Sequence, residues 1–135
     1  MEDSPPQFIK IRNPRSEQVA DRVDLVAAAY QKTLDLVELV HIVLEHTESR
    51  FHVKDRLDRA VTTVTLEIAR AGVEVRANRW RHYRTILDRL ADVCTSLDII
   101  ERQHSTQRPI ELMKARAVGK ELMEAIRPLA KLGND

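Results

Sequence analysis

Four long stretches of this chain carry apolar side chains at every third or fourth position, and that recurrence constrains the fold more than any other feature. In the first stretch the positions are Val19, Val23, Val26, Tyr30, Leu34, Val37, Val40 and Leu44, with Leu25, Leu36, Leu39 and Val43 widening the stripe. The second carries Val53, Leu57, Ala60, Val64, Ile68, Ala71 and Val75. The third carries Trp80, Tyr83, Leu87, Leu90, Cys94, Leu97 and Glu101. The fourth carries Ile110, Met113, Ala117, Leu122, Ile126 and Leu129. A period near 3.6 is that of an α-helix buried on one side. The spacing therefore predicts an all-α chain: an antiparallel, up-down-up-down four-helix bundle.

The punctuation agrees. Residues 1–15, with Pro5, Pro6 and Pro14, read as a flexible arm ahead of a bundle domain spanning 16–132. Ser16 is the expected N-cap of a first helix running to about Glu48, with Glu17 in its first turn. Residues 47–50 read as a turn. Asn78 marks the break before the third helix, although without Gly or Pro there a bent continuous helix is the alternative. His104 to Gln107 form the next turn, Pro109 suits the start of the fourth helix, and Pro128 loosens its end. Gly72 and Gly119 stand alone inside helices, where Gly119 suits a close helix contact.

Composition narrows the functional classes. Of the 135 residues 43% are hydrophobic, enough for one core, and only 4% are aromatic, which argues against a β-sandwich. The net charge of +1 gives no global attraction to nucleic acid or anionic lipid, so such binding needs a local patch. One cysteine, Cys94, allows neither an internal disulfide nor a cysteine-only metal site. No segment has the order of a signal peptide or the length of a membrane span, so the expected compartment is the cytoplasm of a prokaryotic-type cell.

Two constellations carry chemistry. Between Arg70 and Arg89 there are six basic residues against two acidic ones, Glu74 and Asp88. The centre of that run is Arg76, Arg79, Trp80, Arg81, His82, Tyr83 and Arg84. Cations at a helix start oppose the helix dipole, and a phosphate partner would offset this. Antiparallel packing brings Arg12, Arg15, Arg22, Arg127 and Lys131 to the same end. The candidate nucleic-acid-binding set is Arg76, Arg79, Arg81, His82, Arg84, Arg12, Arg15, Arg127 and Lys131, against the plainer reading of solvated charge. The second constellation is a pair of Glu-x-x-His steps, Glu38/His41 and Glu101/His104, the spacing used by di-metal bundles. Their heights along the bundle mismatch by roughly 10 Å on helix rise. No metal, cofactor or catalytic residue is therefore expected, and no nucleophile constellation forms around Thr95, Ser96 and Asp98. The wide stripe of the first helix suggests more than one partner surface and a possible subunit interface.

Several segments resemble a known family. Tyr30-Gln31-Lys32-Thr33-Leu34-Asp35-Leu36-Val37-Glu38-Leu39-Val40 is similar to the opening helix of the S23-type four-helix bundle proteins, named after intervening sequences in 23S ribosomal RNA genes. Leu57-Asp58-Arg59-Ala60, Val64, Ile68-Ala69, Tyr83-Arg84-Thr85-Ile86-Leu87 and Ser96-Leu97 follow its pattern, over residues 28–130. The chain departs where the family commonly reads Asn-Ile-Ala-Glu-Gly and Glu67-Ile68-Ala69-Arg70-Ala71 stands here. The overall pattern also resembles the accessory variability proteins of diversity-generating retroelements. The resemblance implies a homo-oligomeric ring, typically a pentamer, without catalytic residues. For the retroelement branch it also implies binding to RNA and a reverse transcriptase. The resulting expectation is a non-catalytic scaffold or adaptor, with a di-metal enzyme or a purely protein-binding module as rivals.

Overall fold

A computed structural model describes the backbone of residues 14–103 and 109–134, and side-chain environments for 26–103 and 109–131. Four helices account for nearly all of it: α1 (Pro14–His46), α2 (Phe51–Val73), α3 (Arg79–Gln103) and α4 (Ile110–Asn134), with a 3-10 turn at Arg76–Asn78. Among the described residues there is no strand. Each helix packs on its neighbours in sequence and α4 closes against α1, whereas among the described residues the backbones of the diagonal pairs do not approach each other. That connectivity is the up-down-up-down bundle the apolar spacing predicts. Among the described residues, no helix is long and apolar enough to cross a membrane.

The stripes are real, but on α1, on α3 and in the first half of α4 the buried line is shifted from the expected one. On α1 the buried positions are Val26, Ala29, Thr33, Leu36, Val40 and Val43, an unbroken alternation of three and four. Tyr30, Val37, Leu39 and Leu44 pack partly buried beside them. From residue 26 onward the centre of the wide stripe is buried because α1 lies between α2 and α4, while Leu34 stays half-buried at its edge. Among the described residues of that part, no large apolar side chain is more than partly exposed. On α2, Val53, Leu57, Ala60, Val64, Ile68 and Ala71 are buried as expected, while Val75 lies beyond the helix and is 62% exposed. On α3 the core line is Tyr83, Ile86, Leu90, Val93, Leu97 and Ile100. Trp80, Leu87, Cys94 and Glu101 form a half-buried flank, not the seam. On α4 the first half turns Leu112, Ala115 and Gly119 inward; Ile110, Met113 and Ala117 face solvent. These shifts have one cause: adjacent apolar residues offer two registers, and only the packed partners select one.

The C-terminal end of α1 is held by side chains instead of by glycine. The last turn of α1 leaves carbonyls without intrahelical partners. His46 Nδ1 lies 3.0 Å from the carbonyl oxygen of Ile42, the buried Thr47 hydroxyl donates to Val43, and Lys54 Nζ reaches back from α2 to Leu44 at 3.0 Å. Residues 47–50 then make the expected turn, so α1 stops at His46, short of Glu48. At its other end α1 begins at Pro14, where a proline loses no helical hydrogen bond. Ser16 is therefore inside the helix and not its N-cap, and Pro14 and Arg15 leave the arm; residues 1–13 lie outside the described residues. Among the described residues no backbone takes a positive φ.

Gly119 has the packing role its position suggests. A Cβ added there would sit 3.2 Å from Cys94 Sγ, so α3 and α4 approach closely at this level. Gly72 has more room, with Val26 Cγ1 at 3.8 Å. That contact and the Lys54–Leu44 bond fix the register of α1 against α2, and leave the first three turns of α1 running past the last residue of α2.

Candidate nucleic-acid interface

The basic run of the sequence falls where α2 stops and α3 starts, and the stop is sharp. Glu74 and Val75 adopt extended conformations, with ψ of 151° and 143°. The Glu74 amide closes α2 on the Arg70 carbonyl at 3.0 Å, and the Asn78 amide closes the 3-10 turn on Val75 at 3.0 Å. Asn78 is thus the last residue of a short turn, with α3 beginning at Arg79. Two extended residues remove the alternative of one bent helix.

Acidic side chains of α2 and the junction hold this break together. His82 Nδ1 lies 3.0 Å from Glu67 Oε1, and its Nε2 lies 3.4 Å from Glu74 Oε2. The other oxygen of Glu67 takes Arg70 at 2.6 Å. Burial raises the Glu67 carboxyl, but hydrogen bonds from His82 and Arg70 outweigh it and hold the group below the ordinary carboxylate value. Glu74 is held low too, first by the backbone amide of Val75 at 2.9 Å and then by His82. Arg79 turns back as well, its Nε donating to the Glu74 carbonyl at 3.0 Å.

The candidate set therefore divides. His82 and Arg79 are occupied in joining α3 to α2. Arg76, Arg81 and Arg84 are exposed, and the Arg76 side chain has no ion-pair partner among the described residues. The guanidinium carbons of Arg81 and Arg84 lie 5.6 Å and 5.1 Å from the Trp80 ring centroid, within cation–π range. Trp80 itself is partly exposed. Arg127 and Lys131 are exposed on α4. The α3/α4 register follows from Cys94 Sγ beside Met123 Sδ at 4.0 Å and from Arg116 Nη2 on Asp98 Oδ1 at 2.8 Å. Ten residues back along α3 and eight forward along α4 put Arg84 and Lys131 within about 3 Å in height. Arg12 lies outside the described residues, and the side chains of Arg15 and Arg22 are not described. Arg15 lies about 16 Å along α1 before Val26, on the segment that overruns α2.

The Glu-x-x-His steps do not converge. Glu38 is exposed, and His41 is solvent-facing with Glu45 Oε1 at 2.8 Å. Glu101 is taken by Arg116 of α4, and His104 lies outside the described residues. The steps also sit on α1 and α3, which are diagonal helices. Among the described residues no group of three or more His, Cys, Asp and Glu side chains is placed to hold a metal ion. Burial, then the nearby Asp98, pushes the Cys94 thiol up, which disfavours the reactive thiolate.

Sequence reasoning missed Glu67. The available signal was its register: counting from Leu57 through Ala60 and Val64, position 67 falls on the buried line, and a carboxylate there needs a partner. No protein-family profile matches this chain, and neither does any curated protein or solved structure.

Proposed function

We propose that the protein is a non-catalytic binding scaffold that contacts nucleic acid through the basic corner at the start of α3. The observation that carries this reading is the Trp80 side chain, partly exposed, with the exposed Arg81 and Arg84 guanidiniums against its ring. Arg76 beside it and Lys131 across from it add cations in a chain whose net charge is only +1. Arginine clusters with an aromatic centre suit phosphate and base contacts together. His82 and Arg79, held by Glu67 and Glu74, serve to position the corner and are not expected to touch the strand.

The resemblance of residues 28–130 to the ribosomal intervening-sequence and retroelement accessory bundles supports the rest of the reading: a homo-oligomer, a ring of five, acting in the cytoplasm with RNA or a reverse transcriptase as partner. A ring repeats one weak corner around a rim, which raises overall avidity without new contacts. Light scattering during size exclusion tests the assembly, and a monomer at micromolar concentration would remove it.

The nucleic-acid part is tested by retention of an RNA oligonucleotide at several salt concentrations. Replacing Arg76, Arg81 and Arg84 together with alanine is expected to weaken binding and to reduce the log–log salt slope by about 2, at about 0.7 per lost phosphate contact on a single strand. No retention by the parent protein would overturn this part.

A further inference from the structure

We propose that Trp80 is a stacking platform for an unpaired base, so that the basic corner takes single-stranded and not duplex nucleic acid; this rests on the reading of the corner as a nucleic-acid contact. Three observations bear on it.

The first is the placement of the ring. Trp80 belongs to the half-buried flank of α3, one turn before the buried Tyr83, and so keeps part of its surface open to solvent. Stacking on such a ring requires a base already free of its own helix, which a loop or single strand supplies and an intact duplex does not.

The second is the state of the two arginines. In the free protein, Arg81 and Arg84 rest within 6 Å of the ring centroid, a contact that keeps the indole in place. A guanidinium prefers the charge-assisted hydrogen bonds of a phosphate to an exposed ring face. Arrival of a strand therefore draws a guanidinium to the backbone and frees ring surface for the base, so the same side chains guard the platform and bind the ligand.

The third is how far the positive charge extends. Beyond Arg84, α3 carries exposed Asp88 and then Asp92 and Asp98, with Arg89 paired to Asp92 at 3.0 Å. A duplex laid along the rod would meet these carboxylates. The local excess at the tip, Arg76, Arg79, Arg81 and Arg84 against Glu74, fits a short, bendable strand that turns a corner. A stacking platform accepts any base face, so only a modest sequence preference is expected.

Trp80 is the only tryptophan in the chain, so its emission reports on this site alone. The full chain is titrated with a single-stranded homopolymer RNA and with a duplex RNA of equal length, following tryptophan emission and, separately, anisotropy of labelled RNA. The single strand is expected to quench the emission and to bind at least several-fold more tightly than the duplex. Trp80→Leu is expected to weaken single-strand binding about tenfold. Trp80→Phe, which keeps a π-face, is expected to retain most of the affinity; circular dichroism confirms that both variants fold. Single-strand binding without quenching, with Trp80→Leu unaffected, overturns stacking and leaves the basic corner standing. Equal losses in the Phe and Leu variants also count against stacking, and equal affinity for duplex overturns the single-strand preference. If the parent retains neither RNA, both readings fall together.

Discussion

At the residue scale, the most informative side chain is Glu67. It is a carboxylate on an apolar line, tolerated because His82 and Arg70 saturate its two oxygens. Glutamine keeps one acceptor oxygen but turns the other into an NH2 donor and removes the charge, so one of the two partners loses its acceptor, and Glu67→Gln is expected to cost about 1–3 kcal/mol in urea unfolding at neutral pH. The acid dependence has a definite sign. Glu67 and Glu74 both titrate below the ordinary carboxylate value in the fold. Their contribution is complete above that ordinary value, and is lost as pH falls through the lowered native values. The parent should therefore lose stability as pH falls below the ordinary carboxylate range, and Glu67→Gln should show a flatter acid limb. An acid limb of unchanged steepness would show that this carboxylate is not coupled to folding. Thr33 makes the opposite case. It is fully buried, but its hydroxyl only back-bonds to the Ala29 carbonyl at 2.8 Å. Thr33→Val should change stability by less than about 1 kcal/mol, since the shape is kept and only a hydroxyl donor to a helix carbonyl is lost.

At the scale of the helix, the existence and number of the four rods were legible because each is long and strongly periodic. Their faces were legible only where the apolar residues were sparse. On α2 the line Val53, Leu57, Ala60, Val64, Ile68, Ala71 has few competitors and was read correctly. On α4, Ile110 and Met113 compete with Leu112, and only contact with α1 and α3 decides between them. The consequence is measurable: Leu112→Ala should cost about 2–5 kcal/mol, whereas Met113→Ala should stay within about 0.5 kcal/mol. Equal effects would show that α4 is rotated from the orientation described. The site was legible in outline, as a cluster of arginines around Trp80. Its division into joining and exposed residues was not, because the division depends on carboxylates 15 and 8 residues before His82 in sequence. The α3/α4 contact yields a further test. Gly119→Ala gains helix propensity of up to about 1 kcal/mol but crowds Cys94 Sγ. The gain should be largely cancelled in the parent and recovered in a Cys94→Ala background, a positive coupling readable by a double-mutant cycle.

At the scale of the molecule, order along the chain and order in space coincide: each helix lies beside the next, and the fourth lies beside the first. The start of α1 and the end of α4 consequently share one end of the rod. The turns contribute little direction of their own, since no described residue needs a left-handed backbone and all three glycines sit within helices. The path of the chain is thus a closed circuit that happens to be cut at one point. Cutting it elsewhere, between Glu48 and Ser49, and bridging the old ends with a flexible linker should yield a circular permutant in the order α2, α3, α4, α1 that melts as one cooperative unit, its pairing dictated by the stripes and indifferent to where translation begins.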